Sequence, residues 1–280
     1  MSTYAFTLVA TAGCLHALWN LMAKRVSGNL GVFWLSLCAA SIMLAPFAVA
    51  SVMRSFETAA LPCMVATALL HAAYFALLSA AYRHGELSTV YPLARGTGVA
   101  GTALAAHAML QESLSTTAQC GIALVCGGIV MLGIMRAPGH ARARSWSLAL
   151  LVGVSIAAYS IVDRMGVMRA DPVVYVAALS AGTAIALAPL VLGRHRPALV
   201  AAFRDHRSTS VGIGVASMGT YLVVLYAMRQ SGAASVVAVR EISVAVATML
   251  GVIVLREPLT RIKVISAVAI LAGVILVKAG

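Results

Sequence analysis

Ten stretches of this chain are apolar nearly throughout, and each is close to the roughly 20 residues that a bilayer crossing requires. They run over about 4–23, 31–53, 59–82, 87–109, 114–135, 146–168, 172–192, 209–230, 233–255 and 260–279. A soluble domain cannot bury so many. Of the 280 residues, 61% are hydrophobic and 10% charged, against roughly 25% charged in a soluble domain. In hydrocarbon every backbone amide must bond internally, which leaves helices or a closed barrel. The runs lack the alternation of barrel strands. The predicted fold is an all-α integral membrane protein with ten transmembrane helices.

An internal repeat organises those helices. "LREPLTRIKVISAVAILAGVILV" from Leu255 repeats the pattern of "LQESLSTTAQCGIALVCGGIVML" from Leu110. Glu257 falls on Glu112, Thr260 on Ser115, Gly273 on Gly128 and Arg240 on Arg95, all at an offset of about 145 residues. Earlier helices correspond more faintly: Trp19 with Tyr159, Asn20 with Ser160, Lys24 with Arg164, Tyr74 with Tyr221 and Gly85 with Gly232. The connection "RAPGHARARS" at 136–145 separates two sets of five, giving repeats at 1–140 and 141–280. Two copies of an odd number of helices must cross the membrane in opposite senses, so the repeat is inverted. Such a pair yields inward-open and outward-open shapes of similar energy, and rocking between them alternates access to a midplane site.

The formal charge of +12 is almost wholly arginine. These residues lie in short gaps between apolar runs, where they mark topology and touch lipid headgroups. No soluble basic module exists to hold nucleic acid, so that partner is excluded. The five cysteines (Cys14, Cys38, Cys63, Cys120, Cys126) lack metal-ligand spacing and read as packing residues. No metal or cofactor motif is present. The N-terminus lacks a basic stretch before its first apolar run, so it reads as a first span rather than a cleaved signal.

An ionisable residue inside a span costs about 2.5–3.5 kcal/mol to insert, so each is a functional candidate. Arg95 lies in "YPLARGTG", where Pro92 and three glycines interrupt the helix; loosened backbone is expected beside a cavity rather than lipid. Arg240 and Glu241 lie two turns into the ninth span, about 100° apart, so close mutual pairing is not expected. They either lock the bundle through other helices or line a cavity. Asp163, late in the sixth span beside Arg164, is expected to snorkel to the interface, with a coupling role as its functional alternative; Glu241 is the second coupling candidate. His16, Trp19 and Asn20 share one face of the first helix, and His71 and Tyr74 one face of the third. Tyr91, Tyr159 and Tyr221 add aromatic walls with hydroxyl donors. These eleven residues, His16 to Glu241 without Asp163, form the predicted substrate site; none is assigned as catalytic. Tyr4, Trp34 and Trp146 read as interfacial belt residues. Glu112 and Glu257 precede the fifth and tenth helices and suit their N-terminal dipoles. Ala123, Gly127, Ala269 and Gly273 are spaced for close helix contact and suit a dimer as well as internal packing.

The paired "ESLSTTAQCGIALV" and "EPLTRIKVISAVAI", with "HALWNLMAKR" and "YPLARGTG", resemble the ten-helix, EamA-type members of the drug/metabolite transporter superfamily. The resemblance covers essentially the whole chain. It implies two five-helix repeats, a bacterial inner-membrane location and a cavity lined mainly by spans 1, 3, 4, 6, 8 and 9. The four-helix small multidrug exporters of this superfamily carry a membrane-embedded Glu in their first helix. Here the first helix has no acid, which argues against export of lipophilic cations. Two intramembrane arginines against one central carboxylate suit an anionic or zwitterionic metabolite, such as an amino acid or organic acid. Gaps after odd-numbered spans hold about thirteen Lys and Arg, against about five on the other side. The positive-inside rule then puts both termini outside, whereas the resemblance implies both in the cytoplasm.

The expected function is alternating-access transport of a small polar metabolite, with export as the expected direction, by a monomer or homodimer. Three rivals stand beside it: a multidrug exporter, an intramembrane enzyme using His16, His71 and Glu241 on a lipid-linked substrate, and a membrane assembly factor. No Ser/His/Asp, H-E-x-x-H or paired-acid motif supports the enzyme.

Overall fold

Helix boundaries follow local chemistry closely in a computed structural model of the chain. It describes residues 1–24, 26, 29–84, 87–134, 142–254, 256 and 258–280, and their side chains except at 19–24, 87–89, 134, 142 and 143. The helices are α1 (Thr3–Lys24), α2 (Leu30–Val52), α3 (Leu61–His84), α4 (Leu87–Leu110), α5 (Thr116–Ile134), α6 (Arg142–Val167), α7 (Pro172–Leu192), α8 (Arg196–Asp205), α9 (Arg207–Gln230), α10 (Ala233–Arg240), α11 (Ile242–Val254) and α12 (Arg261–Ala279). Among the described residues there is no strand.

Several starts have a visible cause. Asn29 accepts the amide of Gly31 to open α2, and Asp171 accepts that of Val173 to open α7, with Pro172 in its first turn. Ser115 caps α5 through the Ala118 amide, and Thr260 caps α12 through that of Lys263. The repeated Leu-Ser and Leu-Thr steps are therefore N-caps, each satisfying an otherwise orphaned amide. Gln111 (φ 55°) and Arg256 (φ 54°) adopt left-handed backbone at equivalent points of the two repeats. Both stop the preceding helix in the same way.

Among the described residues, eight segments are long and apolar enough to cross a membrane, and Thr3–Leu18 adds a shorter apolar helix. The α4 helix falls below that mark among its described residues, since Pro92, Arg95, glycines and threonines dilute its hydropathy. Protein can wall such a helix from lipid. Large apolar residues such as Ile42, Phe47, Leu104 and Ile185 are exposed on the outer faces, as a lipid-facing surface requires.

Pairing between helices is symmetrical. The α5 helix lies along α12 and α2 along α7; α3 packs on α6 and α7 as α9 packs on α1 and α2; α4 packs on α6 as α10 and α11 pack on α1. Two features differ from the sequence reading. The connection after α7 contains the additional helix α8. And the interruption expected in the fourth span falls instead in the ninth: α4 continues through Pro92, whereas α10 and α11 are separated by a tight turn at Glu241, whose amide bonds to Ala238 O at 3.1 Å.

The close contact of α5 with α12 uses Gly273 and Ala269 as expected, but Gly121 and Gly128 in place of Gly127. A Cβ on Gly273 would lie 2.5 Å from Gly121 O, and one on Gly121 would lie 2.6 Å from Gly273 O. Gly128 also abuts α12, whereas Gly127 meets nothing within 4 Å. This seam is consumed within the chain. Gly273→Leu should lower stability by at least about 1–3 kcal/mol through overpacking. Thermal unfolding in detergent checks this, and an unchanged midpoint would mean the helices are not so close.

Candidate functional site

Three polar groups occupy the interior where the two halves meet. In the first, the turn at Glu241 aims its carboxylate at α4. Arg95 Nε donates to Glu241 Oε2 at 3.0 Å and Arg95 Nη2 donates to Oε1, forming a fork that uses both oxygens. Both side chains are buried. The Tyr91 ring lies 5.9 Å from Arg95 Cζ, one helical turn earlier. A bidentate pair of this kind satisfies the partners in fixed geometry. The locking role is thereby realised for Glu241, through Arg95 rather than its neighbour Arg240.

The second group is built around Asp163, which is fully buried. The expected snorkelling does not occur. Thr67 Oγ1 donates to Asp163 Oδ1 at 2.5 Å, Tyr175 OH donates to the same oxygen at 3.0 Å, and Tyr221 OH donates to Oδ2. Three hydroxyls from α3, α7 and α9 thus replace water around this carboxylate, which removes the reason to reach the interface. His71 Nδ1 lies 3.0 Å from both Thr67 Oγ1 and Thr67 O. Its ring stacks on Tyr159 at 4.1 Å and meets Tyr221 edge-on at 5.7 Å; Tyr74 meets Tyr159 edge-on at 5.7 Å. A continuous aromatic wall results, drawn from α3, α6 and α9.

Arg240 lies between these groups. It is 2% exposed, and its Nε and Nη2 have no hydrogen-bond partner among the described residues. Its charge lies near His16, His71, Tyr74, Tyr91 and Tyr221. A buried guanidinium with unused donors is costly unless an anion completes it. The arrangement can accept a carboxylate or another small oxyanion against aromatic surface.

The structure therefore brings together His71, Tyr74, Tyr91, Arg95, Tyr159, Asp163, Tyr221, Arg240 and Glu241, with His16 in electrostatic reach. The side chains of Trp19 and Asn20 lie outside the described residues, as does Glu257. Thr67 and Tyr175 went unrecognised in the sequence. Thr67 precedes His71 by one helical turn, a usable signal, whereas Tyr175 at the start of α7 resembles any belt residue. Among the described residues no three His, Cys, Asp or Glu are grouped to hold a metal.

A fourth cluster joins the ends of several helices. Glu112 does not serve α5, which Ser115 already caps. Instead it accepts the amides of Ala233 at 3.0 Å and Ala234 at 3.4 Å, capping α10 across the interface between halves. Gly232 makes room, since a Cβ there would lie 2.5 Å from Glu112 Oε2. Arg164 Nε reaches Glu112 Oε1 at 3.4 Å, and Arg164 Nη1 donates to Met228 O. This interlock ties the ends of α4, α6 and α9 to the start of α10. Trp34 also departs from the belt reading: its indole N–H donates to Ala184 O at 2.8 Å, joining α2 to α7.

Residues 144–279 match the EamA-like transporter family, and residues 32–125 match the Small Multidrug Resistance protein family. No curated protein sequence matches the chain. A solved crystal structure superposes with a TM-score of 0.73 over 99% of this chain and 96% of its own, at 17% identity, a likeness of fold alone. The family matches fall on successive halves of a helical bundle that buries Arg95, Asp163, Arg240 and Glu241. The second half of the chain is thus similar to the EamA-like transporter family and much of the first to the small multidrug family, both consistent with a membrane transporter of the drug/metabolite transporter superfamily.

Proposed function

We propose that the chain is a secondary carrier, and not an enzyme, that moves a small metabolite bearing a carboxylate (an amino acid or organic anion), as an exporter in the bacterial inner membrane. Two inverted units, 1–140 and 141–280, rock about the central cluster and expose it to each side in turn. The observation that supports this reading is the buried guanidinium of Arg240, two of whose nitrogens have no hydrogen-bond partner among the described residues. In the closed arrangement Glu112 and Arg164 hold one face shut. Release of that interlock opens the face, and the remaining contacts between units act as hinges. The substrate's carboxylate takes the free donors of Arg240, and its body lies against Tyr74, Tyr159 and Tyr221. Asp163 and Glu241 are the two acids available for ion coupling. Glu241 is already committed to Arg95, which leaves Asp163 as the freer of the two.

A second reading is favoured by one observation. Asp163 accepts from two tyrosines, Tyr175 and Tyr221, and shares Thr67 with His71, and residues 32–125 match the multidrug family. In that reading Asp163 supplies the buried acid that the first helix lacks, and the cargo is a lipophilic cation.

Thermal-shift screening of the purified protein separates the two, because a ligand of the folded form raises its midpoint. Carboxylate metabolites are expected to shift the wild type and not Arg240→Gln. Tetraphenylphosphonium shifting the wild type but not Asp163→Asn selects the multidrug reading instead. Chemical turnover of a ligand in detergent, with no second compartment, would replace both by an enzyme.

A further inference from the structure

The α8 helix plays no part in the central cluster, yet its outward face carries a specific pattern. Its inner face is pinned to the bundle. Asn29 Nδ2 donates to Ala198 O at 3.3 Å, and Gly31 admits the α8 backbone so closely that a Cβ there would lie 2.7 Å from Leu199 Cα. Ala202 is fully buried with Val26, Val32 and Ile213. With that face fixed, Arg196, Val200, Phe203 and Arg204 share the opposite one at spacings of three and four. Val200 is 57% and Phe203 62% exposed, although the helix is held rigidly.

Arg196, Pro197, Val200, Ala201 and Arg204 line a shallow depression of about 450 Å³. The surrounding charge has one sign. Residues 193–208 hold four arginines, Arg194, Arg196, Arg204 and Arg207, against one acid, Asp205. That acid is taken by Arg204, through Nε at 2.9 Å and Nη2 at 3.2 Å. Burial, then the charges of Arg83 and Arg194, hold the His195 imidazole below its usual range. Arg83, from the end of α3, therefore belongs to the same basic surface.

A short helix with apolar side chains between arginines, lying at the end of a transmembrane bundle, is suited to the plane where headgroups meet acyl chains. Arginine stems lie along apolar surface while their heads reach phosphate, and the planar fork matches phosphate oxygens. We propose that this face of α8 binds an anionic phospholipid, its phosphate held by Arg196 and by the Nη1 edge of Arg204, the edge not turned to Asp205, and its acyl chains lying over Val200 and Phe203. The site is independent of the transported substrate and stands if the carrier reading fails.

Native mass spectrometry of the full chain, released from detergent with either phosphatidylglycerol or phosphatidylcholine, tests this. The wild type should retain phosphatidylglycerol preferentially. Arg196→Gln/Arg204→Gln should reduce that preference by about 30-fold, the effect of two juxtamembrane arginines. Arg196→Lys/Arg204→Lys should keep most of it, which separates lost charge from damaged folding. Equal retention of the two lipids by the wild type, or an unchanged preference in the Gln variant, overturns the proposal. Displacement of the lipid by inorganic phosphate, beyond that caused by sodium chloride of equal ionic strength, points to a free-anion site and also overturns it. So does a protein dimer that the Gln variant disrupts without any lipid preference.

Discussion

Truncating Glu241 to Ala should lower the unfolding free energy by about 3–5 kcal/mol, the usual effect of leaving a buried ion without its partner. Arg95 donates to Glu241 through two nitrogens, and both side chains are shielded from water. No other carboxylate among the described residues bonds to Arg95, so its charge would remain in the interior uncompensated. Replacing both members should be far milder, because an apolar pair removes the desolvation cost along with the attraction. Arg95→Met/Glu241→Met is accordingly expected to recover most of the stability lost in Glu241→Ala. Unfolding curves in mild detergent measure both, and their difference isolates the coupling between the two sites. A loss below about 1 kcal/mol in Glu241→Ala would mean that water or another residue reaches Arg95 freely. The fork would then be an exposed pair.

The second expected result runs the other way. Arg240→Gln should leave stability unchanged or slightly raised, and should weaken substrate transport on the order of 100-fold. The stability half follows from its two unsatisfied guanidinium nitrogens, a buried charge for which the closed protein supplies no complete shell. The transport half follows from the proposed carboxylate contact, whose loss is expected to cost about 2–5 kcal/mol of binding. Uptake into proteoliposomes, with a substrate found by the thermal-shift screen, reads the second half; the unfolding midpoint reads the first. Full transport by Arg240→Gln removes Arg240 from the site. A large loss of stability would make it a structural residue like Arg95. Glu241 and Arg240 are neighbours in sequence, so the contrast between them tests the assignment of roles directly.

The three ions of the fourth and ninth spans were legible because hydrocarbon makes any charge in an apolar run conspicuous. Their roles were not. Arg95 and Arg240 occupy equivalent positions of the repeat, yet one is paired with a carboxylate and the other leaves two nitrogens without a partner among the described residues. The difference depends on which carboxylate the turn at Glu241 delivers, a matter of tertiary approach. Asp163 was misread because its distance from the helix end suggested snorkelling. Burial is decided by Thr67, Tyr175 and Tyr221, which come from three other helices and are unremarkable in sequence. Glu112 stands next to α5 in the chain but caps α10 in space. Likewise, no local signal distinguished Gly121 from Gly127 as the residue facing α12.

Hydropathy, the period of apolar residues and the repeated Leu-Ser and Leu-Thr caps determined by themselves the helical class and the limits of the spans. Those properties depend on neighbours within one or two turns and on the solvent each residue meets. The tertiary structure alone decided which buried charges are satisfied, where the ninth span bends, and which carboxylate closes which interface. Hydrogen bonds act over about 3 Å between atoms that can be more than a hundred residues apart in sequence, and only the packed helices bring them within that range.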